Sequence, residues 1–105
     1  STDQGIVEPD VAEESMVESI FPNPFRADLT IIFNPGMKGP LSCKVYSSTG
    51  QLVSIPGDKT DTQGSNTLSW DGRDVSGRNC PAGIYFIHIH SHEKTEIRKI
   101  IYAGP

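Results

Sequence analysis

No stretch of this chain approaches the roughly 18 consecutive apolar residues of a membrane-spanning helix, and no segment of useful length repeats its apolar residues every 3.6 positions. A membrane-spanning helix and a helical bundle are both excluded. Basic runs are missing too. With a formal net charge of −4 over 105 residues, neither nucleic acid nor an anionic membrane is an expected partner. The nucleophile and metalloprotease signatures H-E-x-x-H and G-x-S-x-G do not occur, and short strands without a long loop leave little room for a pocket, so the chain is not expected to be an enzyme. No secretory leader is visible before Ser1. The chain reads as a piece of a longer protein whose targeting segment lies elsewhere.

Turn-forming residues, by contrast, are plentiful: 10 Gly and 8 Pro stand against a hydrophobic share of 35%. A chain this long buries roughly 60–70% of its unfolded surface, enough for a single core. Seven short runs carry the apolar residues, at 15–21, 28–34, 39–46, 51–55, 66–70, 83–90 and 95–102. Several alternate with period two. Leu29, Ile31 and Phe33 share a face, as do Leu41, Cys43 and Val45, Leu68 and Trp70, and Tyr85, Ile87 and Ile89. Such alternation marks strands with one buried face. Between the runs stand PNP, NPGMKGP, SSTG, PGDKTDTQG, DGRDVSG and PAG, so the expected fold is a two-sheet sandwich.

Residues 1–15 hold five acids (Asp3, Glu8, Asp10, Glu13, Glu14) and no base, whereas the remaining ninety hold eight acids and nine bases. The first segment reads as an acidic linker, with an added edge strand at "GIVEP" as the other reading, and residues 16–105 read as the folded module. The hexapeptide "IFPNPF" (20–25) interrupts the first strand. Pro22 and Pro24 each lack a donor and hold φ near −65°. The corner is expected to end strand one and let the chain cross to the other sheet, with both apolar ends buried. Phe25 would plug the end of the sandwich, and the Asn23 side chain would bond neighbouring backbone groups.

Three groupings suggest chemistry. His88, His90 and His92 lie at alternate positions of one strand and share a face, as a His-x-His metal pair requires. They take the parity opposite to Tyr85, Ile87 and Ile89, so a solvated face is expected and no metal or other cofactor is assigned. "DGRDVSG" has acids at 71 and 74 but lacks the D-x-D-x-D spacing of a calcium loop. Asp71 and Asp74 are expected to cap turn amides instead. Cys43 and Cys80 invite a disulfide. If strand 41–46 pairs antiparallel with 83–90, however, Cys80 lies beside Tyr46, too far from Cys43 for a bridge. Gly50 needs the left-handed backbone of a four-residue turn, and Trp70 and Tyr85 are expected in the core.

In order along the chain stand "FPNPF", "VYSSTGQLV", "WDGRDVSGRNCPAGIYF" and "TEIRKIIYAG". This arrangement resembles the C-terminal sorting domains of the type IX secretion system and the related Ig-like domain named after the flagellar hook-capping protein. The match spans about residues 19–104. Pro22, Asn23, Pro24 and Phe25 match the corner, and Tyr46, Gly50 and Val53 match a Y-x-x-x-G-x-x-V hairpin. Trp70, Asp71, Gly72 and Asp74 match a W-D-G-x-D turn, Gly83 and Tyr85 match G-x-Y, and Lys99 with its apolar neighbour Ile101 matches the last strand. Many members end with Lys or Arg, whereas this chain ends YAGP.

The resemblance implies an all-β, Ig-like or fibronectin-III-like antiparallel sandwich of about seven strands. It also implies a non-catalytic module at the C-terminus of a larger exported bacterial protein, secreted or held at the outer membrane surface. The implied partners are an upstream catalytic or adhesive domain of the same polypeptide, the secretion translocon or shuttle, and a sortase that anchors the cargo. The sorting role rests on the PNP corner, the Gly50 hairpin and the terminal strand, with the corner acting indirectly by fixing strand one. Two alternatives stay open: an Ig-like spacer beside a secreted hydrolase domain, and a hook-cap domain.

Overall fold

Period-two runs form strands because alternate side chains can be buried on one face while backbone donors and acceptors pair sideways. The computed structural model describes residues 15–34, 39–62, 66–91 and 94–105. In those residues the seven runs form seven strands: β1 (Val17–Phe21), β2 (Leu29–Phe33), β3 (Gly39–Ser47), β4 (Leu52–Thr62), β5 (Asn66–Trp70), β6 (Gly83–Ser91) and β7 (Lys94–Tyr102). They make a three-stranded sheet, β1-β2-β5, and a four-stranded sheet, β4-β3-β6-β7, with every pairing antiparallel. The fold is the all-β, Ig-like sandwich. "GIVEP", most of the acidic segment and His92 lie outside the described residues.

The expected parities hold. Leu29, Ile31, Phe33, Cys43, Val45, Ile87, Ile89 and Ile100 are fully buried between the sheets. β3 pairs with β6 in the register that sets Ser47 opposite Tyr85 and Cys43 opposite Ile89. Cys43 and Cys80 are both buried and are not joined by a disulfide.

Three expectations need correction. The PNP corner does not carry the chain between sheets, because β1 and β2 pair within the same sheet. A hairpin partner was available at once, and the actual crossover comes later, between β2 and β3. The corner's two apolar ends also differ: Phe25 is buried but Phe21 is half exposed. Third, β4 extends well past the expected 51–55 and through Pro56. A proline is tolerated there because β4 is the sheet's edge and its missing donor can face outwards. Register shifts against β3 absorb the irregularity.

Four aromatic rings fill one end of the sandwich. Tyr102 stacks on Phe25 with centroids 4.8 Å apart, and lies 6.0 Å from Trp70 and 6.4 Å from Tyr85. Trp70 meets Phe25 at 5.5 Å and Tyr85 edge-on at 5.3 Å. The polar atoms of this cluster are satisfied. Trp70 Nε1 donates to the Arg73 carbonyl at 2.9 Å, and Tyr85 Oη donates to the Pro81 carbonyl at 2.6 Å. Burial, and then the neighbouring Cys80, push the Tyr85 hydroxyl up to about 12, so it stays protonated and a donor. Replacing Trp70 by Ala is expected to cost ~3–5 kcal/mol, the range for deleting a large buried ring. A melting midpoint equal to the parent's would show that Trp70 is not at the centre of the core.

Candidate functional site

The residues singled out in the sequence gather at one end of the sandwich. That end holds the last residues of β1, β3, β5 and β7 and the first of β2, β4 and β6. Two clasps organise it.

The first clasp joins the corner to the terminal strand. Both Phe21–Pro22 and Asn23–Pro24 are cis peptide bonds. The bend aims Asn23 and Phe25 at the outer edge of β7. Asn23 Oδ1 accepts from the Ile101 N–H at 2.9 Å, so its partner is distant in sequence rather than a neighbouring turn amide. The Phe25 N–H donates to the Ile101 carbonyl at 3.0 Å, and the Ala103 N–H donates to the Phe25 carbonyl at 2.8 Å. Phe25 thus bridges in parallel to Tyr102. In effect the corner is a short extra strand on β7, and its prolines sit where no donor is needed.

The second clasp is the W-D-G-x-D turn. Asp71 Oδ1 accepts from the Arg73 N–H at 3.1 Å. Asp74 Oδ1 accepts from the Ser76 N–H, the Ser76 hydroxyl and the Arg78 N–H at 2.7–3.0 Å. The Ser76 hydroxyl and then the Arg78 amide hold the exposed Asp74 carboxyl below its ordinary value. Both carboxylates therefore cap turns, as expected. The Val75 N–H donates to the Val53 carbonyl at 3.0 Å, fastening this loop to the edge strand β4. Gly72 is required twice over. Its φ is +80°, and a Cβ there would stand 2.6 Å from the Tyr102 ring. Gly50 has φ +89° and closes the SSTG turn by donating to Ser47. Gly83 opens β6 beside the loop, opposite Tyr102. A cleft of about 500 Å³, larger than the short loops suggested, lies between the two turns, with Val53, Asp74, Gly83 and Tyr85 among its walls.

Two motif residues point elsewhere. Tyr46 and Lys99 lie on the outer face of the four-stranded sheet, where Tyr46 contacts His88 at 4.3 Å and Lys99 stands opposite Phe86. His90 Nδ1 lies 2.8 Å from Thr95 Oγ1. Among the described residues no cluster of His, Cys, Asp and Glu has metal-binding geometry.

Sequence reasoning missed a third contact, at the opposite end of β7. Ser15 Oγ donates to Glu96 Oε2 at 2.7 Å, and the Met16 N–H donates to Glu96 Oε1 at 2.6 Å. Arg98 joins them through Glu96 at 2.8 Å and Ser15 at 3.0 Å. Nothing local marks residues about 80 positions apart as partners. Tyr102, also not singled out, shares its inward parity with Ile100 and could have been found that way.

The residues on either side of β1, Ser15 and Met16 before it and Asn23 and Phe25 after it, are therefore fastened to β7 at two points. The outward backbone groups of Ile101 are taken, and by the two-residue alternation of a strand those of Ile97 and Lys99 also face outward, with no partner among the described residues. Burial alone would raise the Glu96 carboxyl, but the Ser15, Met16 and Arg98 contacts outweigh it and hold the group below its ordinary 4.5. The folded form then binds fewer protons than the unfolded form. This contribution is complete above pH 4.5 and is lost as pH falls through the folded value. Melting curves of the parent should fall more steeply than those of Glu96→Gln below pH 4.5, and parallel curves would refute the clamp. Asn23→Ala removes one acceptor at a cost of about 1 kcal/mol, and the Ile101 amide should exchange about fivefold faster. An unchanged rate would show that the corner does not hold the strand.

The chain matches the family described as the secretion system C-terminal sorting domain over residues 19–103. No curated protein matches it significantly. Among solved structures it is similar to PorZ, an essential bacterial surface component of the type-IX secretion system of Porphyromonas gingivalis, at 21% identity and a TM-score of 0.59. That match covers 82% of this chain and 11% of the other. It is also similar to dimeric latent PorU from Porphyromonas gingivalis, at 24% identity and a TM-score of 0.66, over 85% of this chain and 9% of the other. These likenesses speak to the fold, and this chain spans only about a tenth of either protein. The family match covers most of the chain, including the PNP corner, the glycine hairpin, the W-D-G-x-D turn and the last strand. The chain belongs to the C-terminal sorting domains of type IX secretion.

Proposed function

We propose that this module ends a larger secreted protein, directs it through the type IX translocon, and leads to its attachment at the bacterial cell surface. The sorting-domain family is non-catalytic, and its role implies secretion or cell-surface attachment in bacteria. Residues 1–15 then serve as the linker to an upstream catalytic or adhesive domain, and as the region where a sortase cuts. The observation that carries this reading is the fastened terminal strand. An edge strand with open backbone groups is a usual way for one β domain to be read by another. On β7 the open stretch is short, Ile97 to Lys99, and it is held in shape by the corner at one end and the Glu96 clamp at the other. The exposed Lys99 beside it hinders pairing between copies and orients the strand on an acceptor. On this geometry the PNP corner acts directly on the terminal strand rather than only through strand one.

A reporter carrying a leader for the periplasm and residues 1–105 at its C-terminus should reach the surface of a host with the type IX system. Deleting residues 95–105 should strand it in the periplasm. Because that deletion removes buried Ile100 and Tyr102, a second variant is needed. Ile97→Asp with Lys99→Asp changes only exposed side chains and should shift stability by about 0.5 kcal/mol or less, yet block export. If both variants are exported as well as the parent, the sorting reading fails and an Ig-like spacer beside a hydrolase becomes the better account.

A further inference from the structure

Seven large apolar side chains are exposed among the described residues. Three of them, Val75 (73%), Leu52 (46%) and Ile84 (43%), line the cleft between the SSTG turn and the W-D-G-x-D loop. Exposed apolar area collected at a concave site, rather than scattered singly, marks a place of binding. The cleft's volume of about 500 Å³ lies within the ~300–1,000 Å³ usual for ligand sites.

Its walls are fixed before anything enters. On one side Ser47 Oγ accepts from the Thr49 N–H at 3.3 Å and the Gln51 N–H at 3.2 Å. On the other, Asp74 Oδ1 takes three donors, and the Val75 N–H reaches the Val53 carbonyl. A cleft held in this way has little freedom left to lose on binding.

Charge selects the occupant. Asp74 is the only charged residue among the described residues of the walls. Cys80 and Tyr85 also line the cleft but are neutral: burial and then the Asp74 charge push the Cys80 thiol up, and burial keeps the Tyr85 hydroxyl protonated. The three donors all go to Asp74 Oδ1, so Oδ2 has no partner among the described residues. The Ser76 hydroxyl and then the Arg78 amide act most on this carboxyl, and the Arg78 guanidinium acts least. The complement of one carboxylate set among aliphatic side chains is a cation on an apolar stem, which Lys and Arg carry.

We propose that this cleft binds a Lys or Arg side chain of another polypeptide, with the cationic head at Asp74 Oδ2 and the flanking aliphatic residues against Leu52, Val75 and Ile84. Ser48 and Gln51, on the side of the SSTG turn, offer hydrogen bonds to the backbone of such a segment. The inference concerns the cleft alone and does not rest on the export reading.

Titrating the isotope-labelled 105-residue chain with acetyl-Val-Lys-Val-amide tests it. Amide signals of Val53, Val75 and Ile84 should shift at millimolar peptide, while those of Thr30 and Ser69 in the other sheet stay in place. The same peptide with norleucine in place of Lys should bind ~fivefold more weakly, the scale of one exposed ion pair, and the Glu peptide more weakly still. Asp74→Asn keeps the Oδ1 acceptor and removes the charge, so it should abolish the difference between the Lys and norleucine peptides. Val75→Ser with Ile84→Ser alters only exposed side chains and should weaken all three peptides. Equal binding of the Lys and norleucine peptides by the parent, shifts spread over both sheets, or no shift at all would overturn the proposal. So would movement of the same signals on diluting the chain without peptide, since this would make a second copy the occupant.

Discussion

Tyr102 is the point on which the rest of this structure depends. It is the last residue of the last strand, so its position requires β7 to be paired along its whole length with β6. Its ring then lies among Phe25, Trp70 and Tyr85, and Gly72 must lack a side chain for it to fit. Those residues come from three sequence motifs: Phe25 from the corner, Trp70 and Gly72 from the W-D-G-x-D turn, and Tyr85 from G-x-Y. The motifs are spread over about eighty positions, yet they are parts of one packed cluster. Rings at these separations favour tilted and offset arrangements and add to the stabilisation from burial alone.

The hydrogen bonds around the cluster serve a related purpose. A strand at the edge of a sheet exposes donors and acceptors that invite pairing with other chains. Here β7 is such an edge, and the residues flanking the first strand hold it at two points. The corner takes the backbone of Ile101, and Glu96 holds Ser15 and Met16. What stays open is the part beside Lys99, a charge that hinders unwanted pairing. This arrangement also brings the start of the module to one end of β7 and its last residues to the other.

The two faces of the four-stranded sheet differ in what they bury. Inward side chains such as Val45, Ile87 and Ile100 are fully buried and supply the hydrophobic stabilisation. Outward side chains on the same strands, such as Ile84 and Ile97, leave apolar area in water. Such area costs the folded state little but favours association. Strand alternation lets one element do both, because neighbouring residues point to opposite faces.

Some of this was determined by the sequence alone. Period-two alternation at 29–33, 41–45 and 85–89 set which side chains are buried, because a strand admits only two faces. Gly50 and the two aspartates of the W-D-G-x-D turn could be read locally, since turn geometry and capping involve residues within a few positions. The family resemblance was legible for the same reason, in motifs that are each contiguous. Partners distant in the chain were decided only by the tertiary structure. Asn23 could have bonded its neighbours, and its actual partner Ile101 lies 78 positions away. The corner was free to cross between sheets or to fold back, and strand pairing chose the second. Gly72 looked like an ordinary turn glycine until the Tyr102 ring came to rest against it. Pro56 ends a strand in most contexts, but at an edge it does not, and which strand forms an edge is a property of the whole sheet rather than of any segment in it.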